Sequence, residues 1–244
     1  ISQIKIDGNS FFVLDADNTL NCFSIEDGQK VWQFKGEKKL INSQNETSIV
    51  INEESVIFNN LKGEIVSLNK FTGNLNWITP TIDYGESLQS FLIKNSDLVL
   101  DNDNIYFSND KNSFFSFDVN FGFINWKQNI SSYLRPIVIN DFIFTISPKG
   151  YFYVVEKNTG NIIRVTDLFY NLNTKKRKKI EIIGFISTVD KIYLSTNSGK
   201  IIKINIADGK IDLIYKVGRD RISKPYVNNS KLYIVKDNAI IKIN

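Results

Sequence analysis

One spacing recurs along this chain and limits its fold more than any other feature. A Gly or Asn is followed ten residues later by a Gly, with an apolar, β-forming run between them. The pairs are Asn18/Gly28, Gly63/Gly73, Asn112/Gly122, Gly150/Gly160 and Gly199/Gly209, and a sixth copy opens at Asn238. Self-similarity of this kind means one structural unit used repeatedly.

Aligned on the first Gly or Asn, the following residues read Thr19-Leu20-Asn21-Cys22-Phe23, Glu64-Ile65-Val66-Ser67-Leu68, Ser113-Phe114-Phe115-Ser116-Phe117, Tyr151-Phe152-Tyr153-Val154-Val155, Lys200-Ile201-Ile202-Lys203-Ile204 and Ala239-Ile240-Ile241-Lys242-Ile243. Offsets two and five are apolar in every copy, which reads as a strand. The Gly or Asn before it suits a tight turn with positive φ, which Gly adopts freely and Asn more easily than other residues. Another strand precedes each turn, as at Ser10–Leu14 and Ser55–Phe58, and a third precedes that one, as at Gln3–Ile6, Thr47–Ile51, Asp97–Leu100 and Pro136–Ile139. A fourth follows the second Gly, as at Gln29–Phe34.

Each unit is thus expected to be a four-stranded antiparallel meander. The approximate units are 1–36, 46–79, 96–130, 134–168, 181–217 and a partial sixth at 223–244, all in one domain spanning 1–244. Such a sheet cannot bury both faces alone, and stacking units around an axis does so. The expected fold class is therefore all-β, a β-propeller with five full blades and part of a sixth. A β-sandwich is the competing fold, but it gives no reason for one turn-to-turn spacing to recur.

Four residues past the second Gly stand Trp32, Trp77 and Trp126, while the fourth and fifth copies hold Arg164 and Leu213. A Trp on each outer strand can cover the seam between neighbouring sheets. These Trp residues are therefore read as structural, together with Gly28, Gly63, Gly73, Gly122, Gly150, Gly160, Gly199 and Gly209. An aromatic ligand platform would be expected to break the regularity.

The composition removes much chemistry. There is no histidine and one cysteine, Cys22. Catalytic triads that use His, Cys/His zinc sites and an internal disulfide are all excluded. Asp15-Ala16-Asp17-Asn18 and Asp101-Asn102-Asp103-Asn104 alternate oxygen ligands as a calcium loop does. They lack the central Gly and distal Glu of such a loop, and read as turn formers. No catalytic, cofactor-binding or metal residue is assigned, and no cofactor or small-molecule substrate is expected.

The net charge of +4 is mild. Its one concentration, Lys175-Lys176-Arg177-Lys178-Lys179, sits in the connection between units four and five. It is either a solvated loop or a contact for an anionic membrane surface or an acidic partner. Without interleaved aromatics, nucleic acid is not expected. Two further connections are candidate partner-binding loops: Thr79–Gln89, with Tyr84 and Glu86, and Ser131–Arg135, with Tyr133, Leu134 and Arg135. Tyr and Arg are enriched at interface hot spots. The sequence begins at Ile1 and has no Met, so it is expected to be processed, excised or truncated, with any signal or lipid-attachment cysteine upstream. Closure of a ring is likewise expected to need upstream residues.

The run Lys62-Gly63-Glu64-Ile65-Val66-Ser67-Leu68-Asn69-Lys70-Phe71-Thr72-Gly73-Asn74-Leu75-Asn76-Trp77 resembles the repeat of the quinoprotein-type (PQQ-repeat) β-propellers, Gly-x-Leu-Tyr-Ala-Leu-Asp-x-x-Thr-Gly-x-x-x-Trp. Within that group the chain is similar to the BamB family of outer-membrane assembly lipoproteins. The resemblance implies an eight-bladed ring on the periplasmic side of the bacterial outer membrane. It also implies a non-catalytic scaffold, docked through its loops on the barrel-inserting subunit of the assembly machinery. Quinone-dependent dehydrogenases share the repeat and typically carry adjacent cysteines, which a lone Cys22 cannot supply. A ligand-sensing propeller is the other alternative.

Overall fold

The computed structural model describes residues 3–15, 17–36, 47–60, 62–82 and 93–243. Its strands form six antiparallel sheets, each following chain order. The first contains β1 (Gln3–Asp7), β2 (Ser10–Leu14), β3 (Thr19–Ser24) and β4 (Lys30–Lys35). The second contains β5 (Ile49–Ile51), β6 (Ser55–Asn59), β7 (Glu64–Asn69) and β8 (Leu75–Pro80). The third contains β9 (Val99–Asp101), β10 (Asn104–Asn109), β11 (Ser113–Asp118) and β12 (Ile124–Gln128). The fourth contains β13 (Ile137–Ile139), β14 (Phe142–Ile146), β15 (Tyr151–Glu156) and β16 (Ile162–Asp167). The fifth contains β17 (Ile182–Ser187), β18 (Lys191–Thr196), β19 (Lys200–Asn205) and β20 (Ile211–Lys216). The sixth has three strands, β21 (Tyr226–Asn228), β22 (Lys231–Lys236) and β23 (Ala239–Ile243). A single helical turn, α1 (Thr174–Arg177), interrupts the connection after β16. The chain divides into two compact units, 1–133 and 134–244.

In the first unit the middle strands of the second and third sheets are buried on both faces, and their alternation decides which neighbour each side chain meets. Val56, Phe58, Val66 and Leu68 of the second sheet pack with Phe12, Leu14, Leu20 and Cys22 of the first. Ile57 and Ile65, on the opposite face, pack with Leu98, Ile105, Phe107 and Phe117. Side chains of the first strands link neighbours: Ile49 N donates to Gln3 Oε1 at 2.6 Å and Leu98 N to Ser48 Oγ at 3.0 Å. The first strands of the second and third sheets, Ile49–Ile51 and Val99–Asp101, are shorter than the Thr47–Ile51 and Asp97–Leu100 expected from the sequence. Ser48 N donates to Asn59 Oδ1 at 2.5 Å, so this N–H and that of Leu98 serve side-chain acceptors instead of extending a ladder. In the second unit Ile201, Ile222, Leu232 and Ile234 form a core between the fifth and sixth sheets.

The turn into each third strand has the expected backbone, with φ of 66°, 57° and 61° at Asn18, Asn112 and Asn238, and 82°, 81° and 69° at Gly63, Gly150 and Gly199. A polar residue three positions earlier fastens it. Asp15 Oδ1 accepts from Thr19 N at 2.9 Å, Asn60 Oδ1 from Glu64 N at 3.0 Å, Ser147 Oγ from Tyr151 N at 3.1 Å and Thr196 Oγ1 from Lys200 N at 3.3 Å. These are side-chain mimics of a backbone turn. The oxygens of Asp15 thus serve turn amides.

The second Gly of each copy closes the turn into the outer strand. Its N–H bonds the carbonyl four residues back, as from Gly73 to Asn69 at 2.9 Å and from Gly209 to Asn205 at 2.8 Å. Each outer strand then carries a bulge. Trp32 pairs with Cys22, but the next pair is Lys30 with Phe23, so Val31 is the extra residue. The same shift occurs in the second to fifth sheets. A bulge re-aims the neighbouring side chain, and here that side chain is the Trp position.

Candidate functional site

The re-aimed side chain reaches the next sheet. Trp32 Nε1 donates to Lys70 O at 3.0 Å and Trp77 Nε1 to Val119 O at 3.1 Å. Both carbonyls lie seven residues past the first Gly or Asn of the following copy. The indole ring also rests on that copy's second Gly. A Cβ on Gly73 would lie 2.7 Å from Trp32 Cδ2, and one on Gly122 would collide with the ring of Trp77. This Gly therefore supplies both positive φ and room for the ring.

Between the fourth and fifth sheets Arg164 takes this role. Its Nη2 donates to Ile206 O at 2.6 Å and its Nη1 bonds Ala207 O. A guanidinium fills less of the wedge than an indole. A Cβ on Gly209 would meet Thr166 Oγ1 at 2.5 Å and Arg164 Nε at 3.2 Å, with no aromatic ring among its nearest atoms. Beside Gly209 and Thr166 opens a cleft of about 660 Å3. Leu168, Phe169 and Ile202 form its buried floor, and Leu172, Ile180, Ile211 and the half-exposed Ile214 form its walls. Lys200 and Lys210 stand exposed at its rim.

The basic segment begins and ends on this cleft, because Leu172 and Ile180 bracket it. It is one helical turn, capped by Asn173 Oδ1, which accepts from Lys176 N at 2.9 Å. Its five basic residues are not equivalent. Arg177 folds back onto the fourth sheet, with Nη1 2.8 Å from Asp167 Oδ2, Nε donating to Lys149 O at 2.7 Å, and the guanidinium 4.7 Å from the centre of the Tyr151 ring. The bond to Asp167 raises the Arg177 pKa further above its ordinary value. Lys175, Lys176, Lys178 and Lys179 are exposed. Arg177 thus anchors the turn that presents them.

The second candidate loop is tied to the third sheet. Ser131 Oγ donates to Asp110 O and Ser132 N to Asn109 O, both at 3.1 Å. Lys94 Nζ lies 5.0 Å from the centre of the Tyr133 ring. Burial, as the largest cause, pushes the Asp110 carboxyl up. Tyr133 is half-buried, Leu134 is buried and Arg135 is exposed. Of this tripeptide, Arg135 offers an exposed charged head. Tyr84 and Glu86, on the other candidate loop, lie outside the described residues.

The family model described as outer membrane protein assembly factor BamB matches residues 1–166, more than half of the 244-residue chain. The chain belongs to the BamB family. Solved structures give its fold. BamB from Moraxella catarrhalis superposes with a TM-score of 0.79 at 16% identity, covering 98% of this chain and 70% of that one. Sqt1 from Saccharomyces cerevisiae gives 0.73 at 12% identity, with 99% and 71% covered. A europium-containing methanol dehydrogenase gives 0.66 at 9% identity, with 87% and 50% covered. At such identities the likeness establishes the β-propeller fold and does not separate scaffold from enzyme. No curated protein matches this BamB-family chain.

Sequence reasoning missed the cleft, although two signals for it are visible. One is Arg164 at a Trp position; the other is the apolar run Leu168-Phe169-Tyr170 where the fourth unit ends and the connection to the fifth begins.

Proposed function

We propose that this BamB-family chain is a non-catalytic scaffold that assists assembly and insertion of β-barrel proteins at the periplasmic side of the outer membrane. The observation that carries the reading is the family match over residues 1–166. The proposed partner is the barrel-inserting subunit of the assembly machinery. Loops held on a rigid β frame suit such recognition. Arg135, the exposed last residue of the Ser131–Arg135 loop, is its proposed contact. The loop bearing Tyr84 and Glu86 is proposed as a second contact, and the exposed lysines of the basic turn as a contact for an anionic membrane surface. Against a quinone-dependent enzyme of the usual kind stands the lone, buried Cys22, which cannot supply adjacent cysteines.

The test is capture of the purified periplasmic domains of the barrel-inserting subunit on the immobilised protein. Saturable binding that Arg135→Glu weakens by about tenfold or more supports the reading. No binding by protein with a native β-sheet circular dichroism spectrum rejects it.

A further inference from the structure

We propose that the cleft between the fourth and fifth sheets binds a single-chain anionic amphiphile, with its tail in the apolar floor and its headgroup among the rim lysines. The inference is independent of the scaffold reading and concerns a bound ligand, with no reaction on it.

The cleft has the make-up of a ligand site. Its volume, about 660 Å3, lies within the roughly 300–1,000 Å3 usual for such pockets, which pair apolar walls with a few polar groups. Leu168, Phe169 and Ile202 are 5%, 5% and 3% exposed, so the floor is apolar and already packed from behind. The charge is one-sided. Lys200 and Lys210 sit on the rim, and four exposed lysines lie in the segment joining wall residues Leu172 and Ile180. The one acid on the lining, Asp167, is held by Arg177 at 2.8 Å. An apolar floor under a cationic mouth is complementary to an apolar tail carrying an anionic head.

The opening also coincides with a departure from the repeat. Where the seam side chain is Trp32 or Trp77, an indole lies over the following Gly. At the fourth sheet it is Arg164, and the corresponding Gly209 lines the cleft. An indole at 164 would cover Gly209 as Trp32 covers Gly73, so one substitution tests the site while restoring the repeat's own seam.

The experiment is isothermal titration of the whole protein, below micelle concentrations, with dodecanoate and with dodecyltrimethylammonium. The expected result is one dodecanoate per chain, with the cationic probe weaker by about tenfold or more. Arg164→Trp should abolish binding while thermal unfolding stays at or above the wild-type midpoint. Lys200→Glu with Lys210→Glu should weaken dodecanoate by about tenfold and leave the cationic probe unweakened. If Arg164→Trp does not fold, Ile214→Glu, at a wall position that is 50% exposed, takes its place and should abolish binding. Equal binding of both probes, unsaturable uptake, or unchanged binding by a folded Arg164→Trp or Ile214→Glu overturns the proposal. So does displacement of dodecanoate by an acidic peptide bearing Leu and Phe that binds more tightly, which would make the cleft a peptide site.

Discussion

Trp77 and Gly122 are 45 positions apart in the chain, and the ring of one occupies the space where the other would carry a Cβ. The same indole donates to Val119 O at 3.1 Å. Gly122 also has a φ of +72°, so two constraints meet at one residue.

Those constraints can be separated. Gly28 has nearly the same backbone, φ +70°, but a Cβ there would meet nothing within 4 Å. Gly28→Ala should cost about 1–2 kcal/mol, the left-handed penalty alone. Gly122→Ala should cost clearly more, about 3–4 kcal/mol, because the ring must also move. Urea unfolding of the two variants checks the difference; equal losses would mean that the ring contact carries no weight.

The seam hydrogen bond has its own expected size. Trp77→Phe keeps an aromatic ring but removes the donor to Val119 O. A loss of about 1–2 kcal/mol is expected from the missing bond and the smaller ring. Thermal unfolding monitored by far-ultraviolet circular dichroism would detect it, and an unchanged midpoint would count against the seam role.

Tyr106 gives a pH signature. Burial, reinforced by the charge of Asp101, pushes its phenol from 10.0 to about 12, against a smaller opposing effect of its bond to Ser116. The folded state therefore holds this proton more tightly than the unfolded chain. The contribution is intact below pH 10 and is lost as pH rises towards 12, by about 2–3 kcal/mol in all. Tyr106→Phe should show a shallower stability decline between pH 10 and 12 than the wild type; parallel declines would refute the assignment.

Cys22 is 1% exposed and lies in the core shared by the first and second sheets, and burial, as the largest cause, raises its thiol pKa. Low thiolate content and low access both suppress reaction. Native protein should resist a maleimide reagent at pH 7 for hours, and label promptly in denaturant. Prompt labelling of native protein would show that the first seam opens readily.

The repeating frame was legible because it rests on local rules. Positive φ at Asn18 and Gly63, alternation in the second and third strands, and the four-strand order all follow from short-range chemistry that spacing reveals. The outer-strand bulges were less visible, since Val31 and Asn76 are unremarkable residues and the bulge is a property of pairing. The paired use of Gly73, as turn and as seat for Trp32, needs two copies to be seen together. The distinct role of Arg177 was hidden for a similar reason: Asp167, Lys149 and Tyr151, which hold it, are 10 to 28 positions away in sequence. The cleft lies at a seam that departs from the repeat, where Arg164 stands at a Trp position, and departures are harder to interpret than regularities.

The strict chain order of the sheets has a consequence for synthesis. Each meander can zip its own hydrogen bonds once its roughly 40 residues have emerged, with no strand waiting for a distant segment. What it lacks until the following copy appears is an acceptor for its seam indole or guanidinium. Within each compact unit, folding during translation can therefore advance one sheet at a time in chain order, and a newly finished sheet leaves the face towards its next copy exposed until that copy appears.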